Sequence, residues 1–141
     1  METIEPAYVL DTHTLIWYLA EKDKLSPEAE RIFEIAERGE TQLLISAIVV
    51  AELYHIGKKK LGLFDDFSRF YSELKQQPYF QFVPFMPDDV LRFERDEAVP
   101  EIHDRIIAGL ARQLGVPLLT KDEEIVEAKL VRIIFSRKKV R

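Results

Sequence analysis

The sequence predicts an α/β fold in which helices cover both faces of a mainly parallel sheet. Short apolar runs typical of buried strands alternate along the chain with longer segments whose apolar residues recur at helical spacing. The 141 residues, 47% hydrophobic and 32% charged, have the size and balance of one globular domain. We therefore expect a three-layer α/β/α sandwich made by a single domain over residues 1–141, with a short basic tail from about residue 136.

The strands are predicted from apolar runs, because the strands of a parallel sheet are buried on both faces. A different pattern occurs at Phe80, Phe82 and Phe85, which alternate with other residues, and Pro84 and Pro87 keep this stretch short, as in an edge strand. The buried strands are predicted at residues 8–10, 43–45, 116–120 and 131–135.

The helices are predicted from apolar residues that recur along one helical face. Ser26 as the N-cap and Pro27 in the first turn mark the start of one helix, which stops at Gly39. Gly115 is the stop signal of another helix. The predicted helices cover residues 15–20, 26–39, 47–60 with an end near Gly62, 67–74, 88–95 and 103–114.

The composition excludes several classes of function. The chain has no cysteine, which rules out disulfides, thiolate zinc sites and a cysteine nucleophile. No apolar run reaches the length of a membrane span, and Glu2 and Glu5 stand where a secretory signal carries basic residues, so we expect a cytoplasmic protein. The net charge of −5 restricts nucleic-acid binding to a local basic patch, for which the candidates are Lys58-Lys59-Lys60 and Arg137-Lys138-Lys139.

Three acidic residues fall at positions where an open parallel sheet forms binding sites. Asp11 directly follows the first strand, and Asp122 follows the strand that ends at Thr120, so both are expected at the carboxyl edge of the sheet. Asp104 lies in the first turn of its helix, where the helix dipole by itself favours a carboxylate. Each of these positions has a structural explanation, and their combination is what suggests chemistry.

A fourth acid, Glu52, interrupts the apolar face that Ile48 and Ile56 form on its helix. A carboxylate there needs a cation, an arginine partner or a raised pKa, and a salt bridge to an arginine is the structural alternative to a functional role. Convergence of all four acids would create repulsion that a hard divalent cation with oxygen ligands, Mg²⁺ or Mn²⁺, relieves. Such a site is typical of phosphodiester hydrolysis.

The segments that carry these acids resemble the PIN-domain family, in particular the VapC-type toxins of prokaryotic toxin–antitoxin modules. The resemblance extends from about residue 7 to residue 135, and it rests on the order and spacing of four motifs. These are Tyr8-Val9-Leu10-Asp11-Thr12-His13-Thr14-Leu15-Ile16-Trp17, Ile45-Ser46-Ala47 through Ala51-Glu52-Leu53, His103-Asp104-Arg105-Ile106-Ile107-Ala108, and Leu118-Leu119-Thr120-Lys121-Asp122.

The resemblance implies a PIN-like fold and an endoribonuclease whose Mg²⁺, or Mn²⁺, is held by a set of four acids. It also implies a homodimer, and a small antitoxin protein that blocks the site. Glu123 and Glu124 are adjacent to the fourth acid and could take its place. The acids are Asp11, Glu52, Asp104 and Asp122, with Thr12, Ser46 and Thr120 as hydrogen-bonding support.

Two other functions are compatible with part of the pattern. Asp11 followed by Thr14 is similar to the nucleophilic aspartate loop of haloacid-dehalogenase-like phosphatases, although His13 stands where that family has its second aspartate. A catalytically silent PIN-like module that binds RNA or protein is the non-enzyme alternative, and the retention of all four acids argues against it. We expect His13 and His103 to form local hydrogen bonds, and Arg105 to pair with a neighbouring acid or to contact substrate.

Overall fold

Five parallel strands form the central sheet of the computed structural model, which describes residues 3–61 and 65–138. Their order across the sheet, in chain numbering, is 3-2-1-4-5, which leaves the first strand in the centre. The strands are β1 (Ala7–Leu10), β2 (Gln42–Ser46), β3 (Phe80–Val83), β4 (Leu118–Thr120) and β5 (Ile133–Phe135).

Helices connect the strands and cover both faces of the sheet, so the predicted α/β/α sandwich is confirmed. Within the described residues, no helix combines the length and the apolar character that crossing a bilayer requires. The α-helices are α1 (Thr12–Ala20), α2 (Pro27–Glu37), α3 (Ala47–Ile56), α4 (Phe67–Lys75), α5 (Ile102–Leu114) and α6 (Glu123–Ala128), with 3₁₀ segments at Lys22–Lys24 and Pro87–Asp96 and a π-helical turn at Gly57–Leu61.

The centre of the sheet is built from residues that are buried on both faces. Val9 is in register with Leu44 on one side and with Leu118 on the other, and all three are buried. Because these strands are parallel, the carboxyl ends of β2, β1 and β4 lie along the same edge. The residues that follow β1 and β4 therefore meet there.

The residues predicted to start α2 and to end α5 have those roles in the structure. The Ser26 hydroxyl accepts a hydrogen bond from the backbone N–H of Ala29 at 3.1 Å, and Pro27 begins the helix. Gly115 ends α5 with φ +68°, a left-handed conformation that costs glycine little. The next two residues are not part of β4 as predicted, because the Val116 N–H closes α5 by bonding to the carbonyl of Ala111.

Other predicted elements differ in type or length. The helix predicted at residues 47–60 leaves the α conformation after Ile56, and its predicted end near Gly62 lies outside the described residues. The segment predicted as a helix at residues 88–95 is 3₁₀, and β5 is shorter than residues 131–135. The sequence analysis missed α6, because six residues are too few to display a helical period.

A partly buried ion pair joins the 3₁₀ segment Pro87–Asp96 to α5. The Asp96 side chain is buried, and the Arg112 guanidinium donates to both of its carboxylate oxygens. Gly109 lies between them on α5, where an added Cβ would come within 2.6 Å of Asp96 Oδ2. The glycine therefore allows the close approach of the carboxylate to the helix.

Candidate active site

The side chain of Asp11 is fixed at the end of β1 by three hydrogen-bond donors. Its Oδ1 accepts from the Thr14 N–H at 2.8 Å and so caps α1. Its Oδ2 accepts from the Thr120 hydroxyl and from the Lys121 N–H, the latter at 3.2 Å. Asp11 is only 6% exposed, so its carboxylate has little freedom to turn, and donors from α1 and from the end of β4 determine its orientation.

Thr120 connects Asp11 to Asp122. Its fully buried hydroxyl donates to Asp11 and accepts from the Asp122 N–H at 3.0 Å. Asp122 in turn caps α6, because its Oδ1 accepts from the Glu124 N–H at 2.8 Å. The Thr120 hydroxyl at the end of β4 therefore fixes the position of Asp122 relative to Asp11.

Glu52 reaches this edge from α3. Its Oε1 accepts from the Thr12 hydroxyl at 2.8 Å, and its Oε2 lies 3.4 Å from His103 Nδ1. Among the described residues, Glu52 forms no salt bridge with an arginine. The structural alternative that the sequence analysis considered for Glu52 is therefore not found in this part of the chain. Thr12 follows Asp11 in the chain, and His103 precedes Asp104. The two contacts of Glu52 therefore connect α3 to the start of α1 and to the start of α5.

Asp104 lies closest to other negative charge. Burial raises the pKa of Asp104 from its usual value near 3.8 to about 8, with further contributions from a hydrogen bond and the charge of Asp122, then from the charges of Glu101 and Asp11. Asp104 therefore retains a proton at neutral pH when no cation balances this group of acids.

Glu101 is a member of this group that the sequence analysis missed. Its Oε2 accepts from the Asp104 N–H at 2.7 Å, so it caps α5, and its charge adds to the repulsion at Asp104. No clear signal marked Glu101 in the sequence, because the helix was predicted to begin at His103 and glutamate is not a preferred N-cap residue. A carboxylate oxygen of Glu101 also lies 3.7 Å from His103 Nδ1. His103 therefore lies between Glu101 and Glu52.

Several residues near the site have other roles. Ser46 caps α3 by accepting from the Ile48 N–H at 3.3 Å, whereas the acids are contacted by Thr12 and Thr120. Arg105 donates to the carbonyl of Val99 at 2.8 Å and lies over the Phe93 ring, so it holds the loop before α5. Glu123 and Glu124 are exposed in the first turn of α6, and Asp122 is the acid that contacts Asp104.

The donor atoms of this edge suit a hard divalent cation, because they are carboxylate oxygens and their mutual repulsion favours added positive charge. As the side chains stand, no group of three acidic or histidine residues in the described part of the chain is arranged to ligate one ion. A cation would take the place of the Asp104 proton, and the side chains would have to adjust to share it. Chemically, the residues fit the metal that the sequence predicted.

The sequence model of the PIN domain family matches residues 8–130. The chain belongs to the PIN domain family. No curated protein matches the sequence.

Solved structures show the same fold at low sequence identity. VapBC2 from Rickettsia felis, bound to a promoter DNA fragment, matches with a TM-score of 0.66 and 17% identity over 92% of this chain and 98% of that chain. FitAcB from Neisseria gonorrhoeae gives 0.65 and 20%, over 91% and 96%. PAE2754 from Pyrobaculum aerophilum gives 0.58 and 23%, over 90% and 83%. These similarities establish the fold.

Proposed function

We propose that this chain is a magnesium-dependent endoribonuclease and the toxin of a toxin–antitoxin pair. The observation that carries the proposal is the convergence of acids from four segments at one edge of the sheet. Besides burial, contact with Asp122 and the charge of Asp11 raise the pKa of Asp104. Glu52 contacts Thr12, which follows Asp11, and His103, which precedes Asp104. Membership of the PIN domain family supports the same chemistry.

Each acid has a distinct part in the proposed site. Asp104 and Asp122 are the pair whose charge is uncompensated, so they would hold the cation most directly. Asp11 and Glu52 are oriented by Thr120 and Thr12, which fixes the oxygens that complete the set. When bound, Mg²⁺ supplies an activated water and offsets the charge that develops on the phosphate oxygens.

The proposed hydrolysis forms no covalent intermediate with the enzyme. Asp11, the residue a phosphatase would use as nucleophile, already accepts three hydrogen bonds and is almost fully buried. A nucleophilic carboxylate needs an accessible oxygen, so this environment supports a positioning role.

The protein partner is part of the proposal. The VapBC structures from Rickettsia felis and Salmonella typhimurium share the fold of this chain, and their names join a VapC component to a second one. We infer that this chain is held inactive by a small antitoxin protein that covers the acids. A homodimer stays a prediction.

The test is cleavage of a structured RNA by the purified chain with Mg²⁺ and with excess EDTA. Asp104→Asn and Asp122→Asn should each lower the rate by about 10²- to 10³-fold, because an interaction worth several kcal/mol in the transition state is lost. Asp88→Asn, the same change at an exposed position, serves as the control and should cleave like wild type. Full cleavage in EDTA, or in either site variant, would contradict the proposal.

A further inference from the structure

The segment that follows β5 is fixed against the candidate active site. The Ser136 N–H donates to the Thr120 carbonyl at 2.9 Å, and its side-chain oxygen accepts from the Thr14 hydroxyl at 2.6 Å. Thr14 and Thr120 are two of the residues that donate to Asp11. The tail is therefore linked to the central aspartate through one residue on each side.

A second set of contacts holds the tail against the segment before α2. The Lys138 N–H donates to the Lys24 carbonyl at 2.7 Å, and Arg137 forms an antiparallel bridge with Leu25. The Ser26 N–H donates to the Ser136 carbonyl at 2.8 Å. Because its backbone is paired on both sides, the tail presents the side chains of Arg137 and Lys138 at defined positions.

Three basic residues, Lys121, Arg137 and Lys138, form what we call the tail patch. All three residues line each of two open clefts. The first cleft is also lined by three acids, Asp122, Glu123 and Glu124. The second extends along α1 to His13 and Trp17, and besides the tail patch its charged lining includes Lys24 and Asp23, so cations outnumber acids there. The patch therefore begins at the proposed metal ligands and continues away from them across the surface.

The cations of the tail patch form no direct ion pair in the part of the chain that the structure describes. The nearby Lys24, by contrast, is paired with Glu21. In a chain of net charge −5, three neighbouring cations without an ion-pair partner are a local feature that favours an anionic ligand.

The other basic segment considered in the sequence analysis has a different environment. The Lys58 ammonium lies over the Tyr54 ring at 5.3 Å from its centroid and 3.4 Å from its hydroxyl oxygen. It thus packs on α3, on which Glu52 lies more than one turn earlier. Lys58 and Lys59 provide a matched control, because they are two exposed cations of equal charge.

We propose that the tail patch binds the phosphate groups of the RNA strand next to the bond that is cleaved. The proposal rests on the ribonuclease function proposed above and assigns its substrate contact to the C-terminal tail. Lysine and arginine at an open cleft recognise phosphate charge and not base identity, so the contact gives affinity without sequence preference.

The test compares two double variants of equal charge change, Arg137→Gln with Lys138→Gln and Lys58→Gln with Lys59→Gln. Binding of a short fluorescein-labelled single-stranded RNA is measured by anisotropy in excess EDTA over a range of salt concentrations. The tail variant should bind about 10- to 30-fold more weakly at about 0.1 M salt, with a salt slope lower by about 1.4, because each lost phosphate contact removes about 0.7. The control variant should bind within about twofold of wild type.

Lys121→Gln provides an independent variant from another segment and should weaken binding about fivefold at the same salt concentration. Melting temperatures identify any variant that fails to fold. With Mg²⁺ present, the tail variant should show its defect mainly as a raised KM. Equal losses in both double variants, or wild-type binding by the tail variant, would overturn the inference.

The two proposals can fail separately because the binding assay needs no hydrolysis. A chain that binds RNA through the tail patch but does not cleave it would refute the ribonuclease and support the tail contact. A wild-type chain that binds no RNA would overturn both.

Discussion

Asp96 is buried and Asp104 is half-buried, and both lie at α5, yet their surroundings differ in one respect. Asp96 faces the Arg112 guanidinium, which donates to both of its oxygens. Asp104 faces the carboxyl groups of Asp122, Glu101 and Asp11. Burial alone therefore does not distinguish an acid that stabilises the fold from one that is available for chemistry. The distinction is whether the protein itself supplies the cation.

The comparison implies opposite energetic roles. The Asp96 carboxylate is compensated within the chain, so removing its charge leaves the partly buried Arg112 guanidinium without its partner. The Asp104 charge is opposed by its neighbours, so removing it relieves repulsion. The first acid contributes to folding, and the negative charge of the second is unfavourable unless a proton or a bound cation offsets it.

The largest effect is expected from Asp96→Asn. The metal-free variant should lose about 2–3 kcal/mol in the free energy of unfolding at pH 7, because the buried half of a partly buried ion pair is removed. Asp104→Asn should lose nothing under the same conditions. Urea denaturation in EDTA measures both values. Similar losses in the two variants would mean that Asp104, too, is a structural acid.

A smaller effect is expected in the pH dependence of stability without metal. The pKa of Asp104 is about 8 in the folded chain and near 3.8 when it is unfolded, so between these values the folded state binds more protons. The free energy of unfolding should therefore fall as pH rises from about 5 to 8. Asp104→Asn should reduce that fall by about 1–2 kcal/mol, since the side chain is half-buried and solvent screens its neighbours.

The control for the pH experiment is Asp88→Asn, in which an exposed acid is removed and the slope of wild type should be kept. Urea denaturation in EDTA at several pH values gives the curves. Parallel curves for wild type and Asp104→Asn would contradict the raised pKa and the repulsion that explains it.

The sequence was sufficient to predict the sheet and the edge where the acids meet. Apolar runs such as Tyr8 to Leu10 are direct consequences of burial on both faces, and parallel strands bring Asp11 and Asp122 to one side. Glu52 was recognisable because it interrupts an apolar stripe. These signals depend on local pattern, which a single sequence displays.

Features that depend on tertiary contacts were beyond the sequence. Glu101 lies before the start of the predicted helix, and only its distance to His103 and its effect on Asp104 place it among the acids. The contact of Ser136 with Thr14 joins residues 122 positions apart, and no local pattern marks it. The two basic segments, at residues 58–60 and 137–139, look alike in sequence. Only the tertiary contacts show that Arg137 lies beside the strand ends. Lys139 lies outside the described residues.

The central claim is that the acids at the sheet edge await a divalent cation, and thermal unfolding with added Mg²⁺ or Mn²⁺ tests it most directly. A ligand that binds the folded state alone stabilises it, by about 2.7 kcal/mol at 100 times its Kd. The account predicts a rise in melting temperature for wild type and for Asp88→Asn, and little or none for Asp104→Asn and Asp122→Asn. An equal rise in all four proteins would contradict it.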